Sequence, residues 1–99
     1  MSHPDPEEIR KAAIEVDPEF AKAVARWEIE VGEDWRGEPA VFVVIVLRDA
    51  DVARVWRTRD AFRRRLRERL FELLPEEYYP FITFSAESES LDPRAAAIA

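Results

Sequence analysis

The sequence predicts a small α+β domain in which a three-stranded sheet carries a long arginine-rich helix on one face. Residues 23–31 alternate between apolar and polar side chains, and residues 40–48 are apolar almost without interruption. Both patterns are typical of β-strands. Residues 52–74 instead place their apolar side chains on one stripe at helical spacing. The predicted order of elements is α-β-β-α-β.

The first part of the chain contains two signals for the start of a helix. Asp5-Pro6 is typical of a helix N-terminus, so we expect a helix over residues 5–16. Asp17-Pro18 repeats the signal and predicts a short helical turn around Phe20.

The two predicted strands, 23–31 and 40–48, flank a loop over 32–39 that contains both glycines of the chain. We expect them to pair as an antiparallel hairpin with a long loop. Because residues 40–48 do not alternate, both faces of that strand should be covered. Helix 52–74 would cover one face, and helix 6–16 or a second subunit would cover the other. A symmetric homodimer is therefore one expected solution.

Prolines mark the remaining boundaries. Pro75 ends the long helix, and residues 78–86 form a third strand in which Pro80 indicates an edge position. We expect the polar and alanine-rich tail, residues 89–99, to fray. The ordered core of the single domain 1–99 would then cover about residues 6–88.

The composition argues against most kinds of chemistry. The chain has no cysteine, a single histidine (His3) and two glycines. It therefore lacks the residues for thiol catalysis, a multi-histidine metal site or a phosphate-binding glycine loop. We interpret Asp49 and Asp51 as helix caps rather than Mg²⁺ ligands. The expectation is a protein that is not an enzyme and has no catalytic residues, cofactor or metal.

Localisation follows from the same composition. The absence of cysteine favours the cytoplasm. No apolar segment follows Met1, so no signal peptide is expected. The longest apolar run, residues 40–47, is far shorter than the roughly 20 residues of a membrane helix. We therefore expect no membrane association.

The charge is unevenly distributed. Residues 52–74 carry eight arginines against three carboxylates, so the rest of a chain with net charge −6 is strongly acidic. The face formed by Arg54, Arg57, Arg64 and Arg65 has three interpretations: a solvated face with ion pairs, a surface for an acidic protein, or a nucleic-acid surface. The acidic remainder argues against nucleic acid.

Two further positions are ambiguous. Arg59 falls within the apolar stripe, so it is either buried against a carboxylate or carbonyl groups, or marks a kink of the helix near Thr58, or forms a functional anion site. Trp35, followed by Arg36, lies in the acidic loop. It is either an anchor at an interface or a lid folded over the core. Tyr78 and Tyr79 are interpreted as packing residues.

Residues 27–44, together with Arg64-Arg65-Leu66-Arg67-Glu68-Arg69-Leu70 and Tyr79-Pro80-Phe81-Ile82, resemble small uncharacterised bacterial proteins. These are encoded beside HEPN-domain proteins, in the manner of toxin–antitoxin modules. The resemblance implies a binding role beside a partner and carries over no catalytic residue. The predicted function is a protein-interaction or regulatory module, antitoxin-like, whose partner is a co-encoded protein or a second copy. The alternative is a nucleic-acid binder that uses the arginine face.

Overall fold

The computed structural model describes residues 3–90 and has the predicted α+β fold. The strands are β1 (Val24–Glu33), β2 (Pro39–Leu47) and β3 (Tyr79–Ala86). The helices are α1 (Pro6–Val16), α2 (Pro18–Ala21), α3 (Val52–Val55), α4 (Arg59–Leu73) and α5 (Glu87–Ser90). Short 3₁₀ turns at Asp49–Asp51 and Trp56–Thr58 flank α3. Of the tail predicted to fray, residues 89 and 90 belong to α5, and the rest lies outside the described residues.

The two N-terminal helices begin where the aspartate–proline signals predict. The Asp5 carboxylate accepts a hydrogen bond from the Glu7 amide at 3.0 Å, and Asp17 accepts one from the Phe20 amide at 3.1 Å. Each bond satisfies a backbone donor that has no partner within its own helix.

The sheet has the order β1-β2-β3, so the most apolar strand is central. β1 and β2 form the predicted antiparallel hairpin, and β3 runs parallel to β2. A bulge between Val24 and Arg26 leaves Ala25 as an extra residue. Because of this bulge, Val24 packs in the core, although the sequence alternation places it with Arg26 on the other face.

The hydrophobic core lies between one face of the sheet and the helices. Odd-numbered residues of β2 are fully buried there, namely Val41, Val43, Ile45 and Leu47. They share one cluster with Ile9 of α1 and Phe62 and Leu66 of α4. Since α1 and α4 pack together on this single face, helix 6–16 does not cover the second face of β2, and of the two predicted alternatives a second subunit stays a prediction.

The long helix is interrupted at Trp56–Thr58, so the interpretation of a break near Thr58 is confirmed. The Thr58 hydroxyl donates to the Val55 carbonyl at 2.9 Å, and Arg59 donates to the Trp56 carbonyl at 2.6 Å. The Arg59 guanidinium also lies 3.9 Å from the centre of the Trp56 ring. The break removes Arg59 from the apolar stripe, so no buried salt bridge is needed.

Asp51 occupies the N-cap position of α3, as predicted, but its side chain makes no capping hydrogen bond, and Asp49 begins the preceding 3₁₀ turn. Asp51 instead accepts from the Arg54 guanidinium at 3.2 Å. The Asp49 carboxylate accepts from the Ser88 amide at 3.0 Å. The turn after β2 is thereby bonded to α5, which follows β3.

Candidate functional site

The face of the sheet opposite α1 and α4, here called the open face, carries the even-numbered residues of β2. Phe42 and Val44 are only partly buried there, whereas Ala40 at one end of β2 and Val46, near the end that contacts α5, are fully buried. The register places Glu30 and Phe81 on either side of Phe42, and Glu28 and Thr83 on either side of Val44. The prediction that both faces of β2 are covered is therefore wrong at Phe42 and Val44.

Five aromatic side chains form a connected group on and beside the open face. This aromatic cluster consists of Trp35, Phe42, Phe71, Tyr79 and Phe81. Phe81 lies at its centre: the ring centroids of Tyr79, Phe42 and Trp35 are 4.8, 5.4 and 5.8 Å from that of Phe81. Phe71 of α4 extends the cluster through an edge contact with Tyr79 at 5.8 Å.

The cluster exposes a large apolar area. Trp35 is 79% exposed, Phe71 50% and Tyr79 43%. Isolated exposed apolar residues are common on protein surfaces, but contiguous aromatic patches mark sites of interaction. These three residues belong to one contact network, so they form a patch rather than isolated exposures.

No protein-family model, curated protein or solved structure matches this chain. Within residues 3–90, no helix is long and apolar enough to cross a membrane. The same residues contain no group of three or more side chains suited to hold a metal ion.

The loop between β1 and β2 holds Trp35 in place through the Asp34 carboxylate, whose side chain is 1% exposed. That carboxylate accepts hydrogen bonds from the Arg36 amide at 2.8 Å and the Glu38 amide at 3.0 Å. It also forms an ion pair with the Arg36 guanidinium at 3.1 Å. Gly37 completes the turn with a φ of +81°, a conformation that residues with side chains rarely adopt.

These contacts determine the ionisation of Asp34. Burial by itself would raise the pKa of the carboxyl group, but the Glu38 and Arg36 amides and the Arg36 guanidinium together outweigh burial and lower that pKa below its ordinary value. The ionised carboxylate is therefore the form that the folded loop favours.

We expect the loop to loosen at low pH. Because the pKa of Asp34 is lower in the folded protein, its ionised form stabilises the fold above the unfolded pKa of about 3.9, and this contribution is lost as the pH falls through the lower, folded pKa. The amide chemical shifts of Arg36 and Glu38, followed by NMR from pH 6 to 2, should move with a midpoint below the unfolded value.

Asp34→Asn is the matched control, since asparagine keeps an acceptor oxygen but does not titrate in this range. The movement of both amide signals should disappear in this variant. If it persists, another group controls the loop.

The structure distinguishes between the two interpretations of Trp35, an interface anchor or a lid over the core. Trp35 is too exposed to be a lid over the core, and its ring contacts Phe81 on the open face. Arg36 lies over Trp35, with the guanidinium carbon 5.5 Å from the ring centre. Of the two interpretations, that of an interface anchor is compatible with this geometry.

The predicted arginine face is not a uniform cationic surface. Arg54 pairs with Asp51, and Arg65 donates to the Val16 carbonyl at 2.6 Å and lies 3.6 Å from Asp17. Arg57 and Arg64 are exposed and make no ion pair or hydrogen bond within the described residues. Arg54 lies before the break at Trp56–Thr58, Arg57 lies within it, and Arg64 and Arg65 follow it.

The surroundings of the aromatic cluster are acidic. Exposed carboxylates lie along the hairpin at Glu28, Glu30, Glu33 and Glu38. Arg26 pairs with Glu28 at 2.7 Å, and Arg36 pairs with Asp34, so neither cation adds unbalanced positive charge. This rim repels phosphate and attracts cationic groups.

Sequence reasoning missed four members of the cluster. Tyr79 had been interpreted as a packing residue, and Phe42, Phe71 and Phe81 were not identified as candidates. One signal was available in the sequence. Phe42 and Phe81 are adjacent in the chain to the core residues Val43 and Ile82, so they point to the opposite face of the sheet. A sheet face in contact with solvent usually carries polar side chains, so two aromatic residues there are unusual.

Proposed function

We propose that this protein is an interaction module that binds a partner protein through the aromatic cluster. The observation that carries the proposal is the connected exposure of Trp35, Tyr79 and Phe71 beside a sheet face that the helices leave open. Tryptophan and tyrosine are the residues that contribute most often to the energy of protein interfaces.

The construction of the cluster favours tight binding. Phe42, Tyr79 and Phe81 project from strands, and Trp35 projects from a loop held by three hydrogen bonds to Asp34. Side chains that are already ordered lose little conformational entropy when a partner binds. A tryptophan on a flexible loop would lose more conformational entropy on binding, so less of its contact energy would contribute to affinity.

The proposed partner is a co-encoded protein, and the proposed role is regulatory in the manner of an antitoxin. This part of the proposal follows from the resemblance to small bacterial proteins encoded beside HEPN-domain partners. Tyr79-Pro80-Phe81-Ile82, one of the segments that carries the resemblance, contributes two members of the aromatic cluster.

Trp35→Ala should weaken capture of the partner by at least roughly 30-fold, the effect of removing an interface hot spot. The tagged protein and this variant would be used side by side to pull partners from a native lysate at moderate salt. The captured partner would be identified by mass spectrometry and its affinity then measured with purified components.

Trp56→Ala is the matched control, because Trp56 is also a partly exposed tryptophan but lies outside the cluster. It should retain the partner. The thermal unfolding midpoints of both variants should lie within a few degrees of that of the parent.

A captured nucleic-acid band that is sensitive to nuclease and lost at high salt would replace the proposal with nucleic-acid binding by the arginine face. A single band with a dimeric mass by light scattering would identify a second copy as the partner.

A further inference from the structure

The two edges of the sheet differ in how their main-chain groups are used. Directly after β1, the Asp34 amide donates to the Glu38 carbonyl at 2.9 Å, so Asp34 is in the phase of the chain whose main-chain groups point towards β2. Since bonding alternates along a strand, the even-numbered residues from Arg26 to Gly32 bond to β2. The amides and carbonyls of Trp27, Ile29, Val31 and Glu33 therefore point away from the sheet.

The β3 edge is protected at three of its four outward-facing positions. Its outward-facing positions are Pro80, Ile82, Phe84 and Ala86, by the same alternation. Pro80 has no amide hydrogen to offer. The Ile82 carbonyl accepts from the Arg63 Nε at 3.2 Å, and the Ala86 amide donates to the Glu89 carboxylate at 2.9 Å. These are the devices with which proteins protect an edge from another strand.

The β1 edge has no comparable protection between its bulge and its loop. Within residues 3–90, no side chain or loop hydrogen-bonds to the outward main-chain groups of Trp27, Ile29, Val31 or Glu33. On the helix side of this edge, Trp27, Ile29 and Val31 pack against the core but remain partly exposed. On the open side, Glu28 and Glu30 are exposed.

We propose that the β1 edge binds an extended segment of another protein in which apolar and basic residues alternate. Main-chain groups of the segment would bond to Trp27, Ile29 and Val31 as an added strand. Its apolar side chains would extend the core beside Trp27 and Ile29. Its basic side chains would lie next to Glu28 and Glu30, opposite in charge.

Charge selects such a segment over a second copy of this chain. In the two-fold pairing of β1 with itself centred on Ile29, Glu28 of each copy lies directly opposite Glu30 of the other, and in the pairing centred on Glu30 the two Glu30 side chains face each other. The pairing centred on Glu28 opposes the two Glu28 side chains but also places Glu30 opposite Arg26 at two positions. Like charges at opposed positions destabilise a strand pair. The registers centred on Ile29 and Glu30 are therefore disfavoured by charge, whereas a basic segment places an attractive pair at both glutamates.

The inference is separate from the proposed function, since it does not use the aromatic cluster. The test uses the full chain and a nine-residue peptide with blocked ends in which lysine and valine alternate. NMR would follow amide hydrogen exchange with and without the peptide. Exchange at Trp27, Ile29 and Val31 should slow, and Trp35→Ala should bind the peptide as the parent does.

Two comparisons make the test specific. A second peptide carries glutamate in place of every lysine. In the Glu30→Lys variant, the ratio of the affinity for the lysine peptide to that for the glutamate peptide should fall by about tenfold relative to the parent, because an attractive opposed pair becomes repulsive. A peptide N-methylated at its strand-pairing amides should lose binding. The proposal is overturned if neither charged peptide binds at millimolar concentration, if the N-methylated peptide binds equally, or if the three amides are already protected in a concentration-dependent manner without peptide.

Discussion

Val43→Lys is expected to unfold the protein, whereas the same substitution at the adjacent Val44 should leave the fold intact. Val43 is fully buried among the odd-numbered core residues of β2. An ammonium group without a partner in that position is destabilising by several kcal/mol, comparable to the 5–15 kcal/mol that stabilises a typical domain. Circular dichroism and the thermal midpoint would report the loss.

Val44 lies on the open face and is only partly buried. A lysine there can extend into solvent, and its cross-strand neighbours are Glu28 and Thr83. The Val44→Lys variant should therefore keep its secondary structure and melt cooperatively. If both lysine variants unfold to the same extent, the second face of β2 is covered and the open face described here is wrong.

Phe62→Ala is expected to destabilise the fold by about 3–5 kcal/mol, the usual range for removing a buried phenylalanine. Phe62 is 1% exposed and stacks on Phe20 of α2, with ring centroids 4.2 Å apart. It also contacts Phe84 of β3 at 6.5 Å. The substitution thus removes a ring that joins α2, α4 and the sheet, and urea denaturation would measure the change in the free energy of unfolding.

Phe71→Ala on the same helix is the matched control. Phe71 is half exposed, and its ring contact is with Tyr79 at the margin of the open face. We expect a loss below about 1 kcal/mol, as for a substitution outside the core. Equal losses for the two alanine variants would mean that Phe71 packs as a core residue, which would remove it from the exposed aromatic cluster.

The sequence was most informative where local chemistry decides the conformation. Asp5 and Asp17 begin helices because their carboxylates satisfy nearby amides, which requires no tertiary contact. Pro80 indicates an edge because it has no amide hydrogen. The apolar stripe of α4 identifies Phe62, Leu66 and Leu70 as core residues.

The errors arise where the tertiary arrangement decides. The continuous apolar run of β2 has the composition of a strand covered on both faces, yet the helices occupy one face. Nothing in the sequence states that α1 packs beside α4 rather than behind the sheet. The bulge at Ala25 likewise depends on pairing with Val46 and Leu47 and reverses the expected orientation of Val24.

The candidate site was predictable in part. Trp35 was identified from its place in a loop between glycines, but its ring contact Phe81 follows it in the chain by more than 40 residues. Their contact depends on the parallel register of β2 and β3. The arginines were identified as a group. The pair of Arg54 with Asp51 has the i, i+3 spacing that sequence can reveal, but Arg65 contacts Val16 and Asp17, which lie far away in the chain.

The closure of the β3 edge by Pro80, Arg63 and Glu89 limits how far the sheet can grow. Fibrils propagate because every added strand presents a fresh template on its far side. Here one side of each molecule terminates the hydrogen-bonded array, so copies joined through β1 would end as a pair. The fold can therefore keep a long edge strand, whose outward main-chain groups are not paired with another strand, without forming open-ended fibrils.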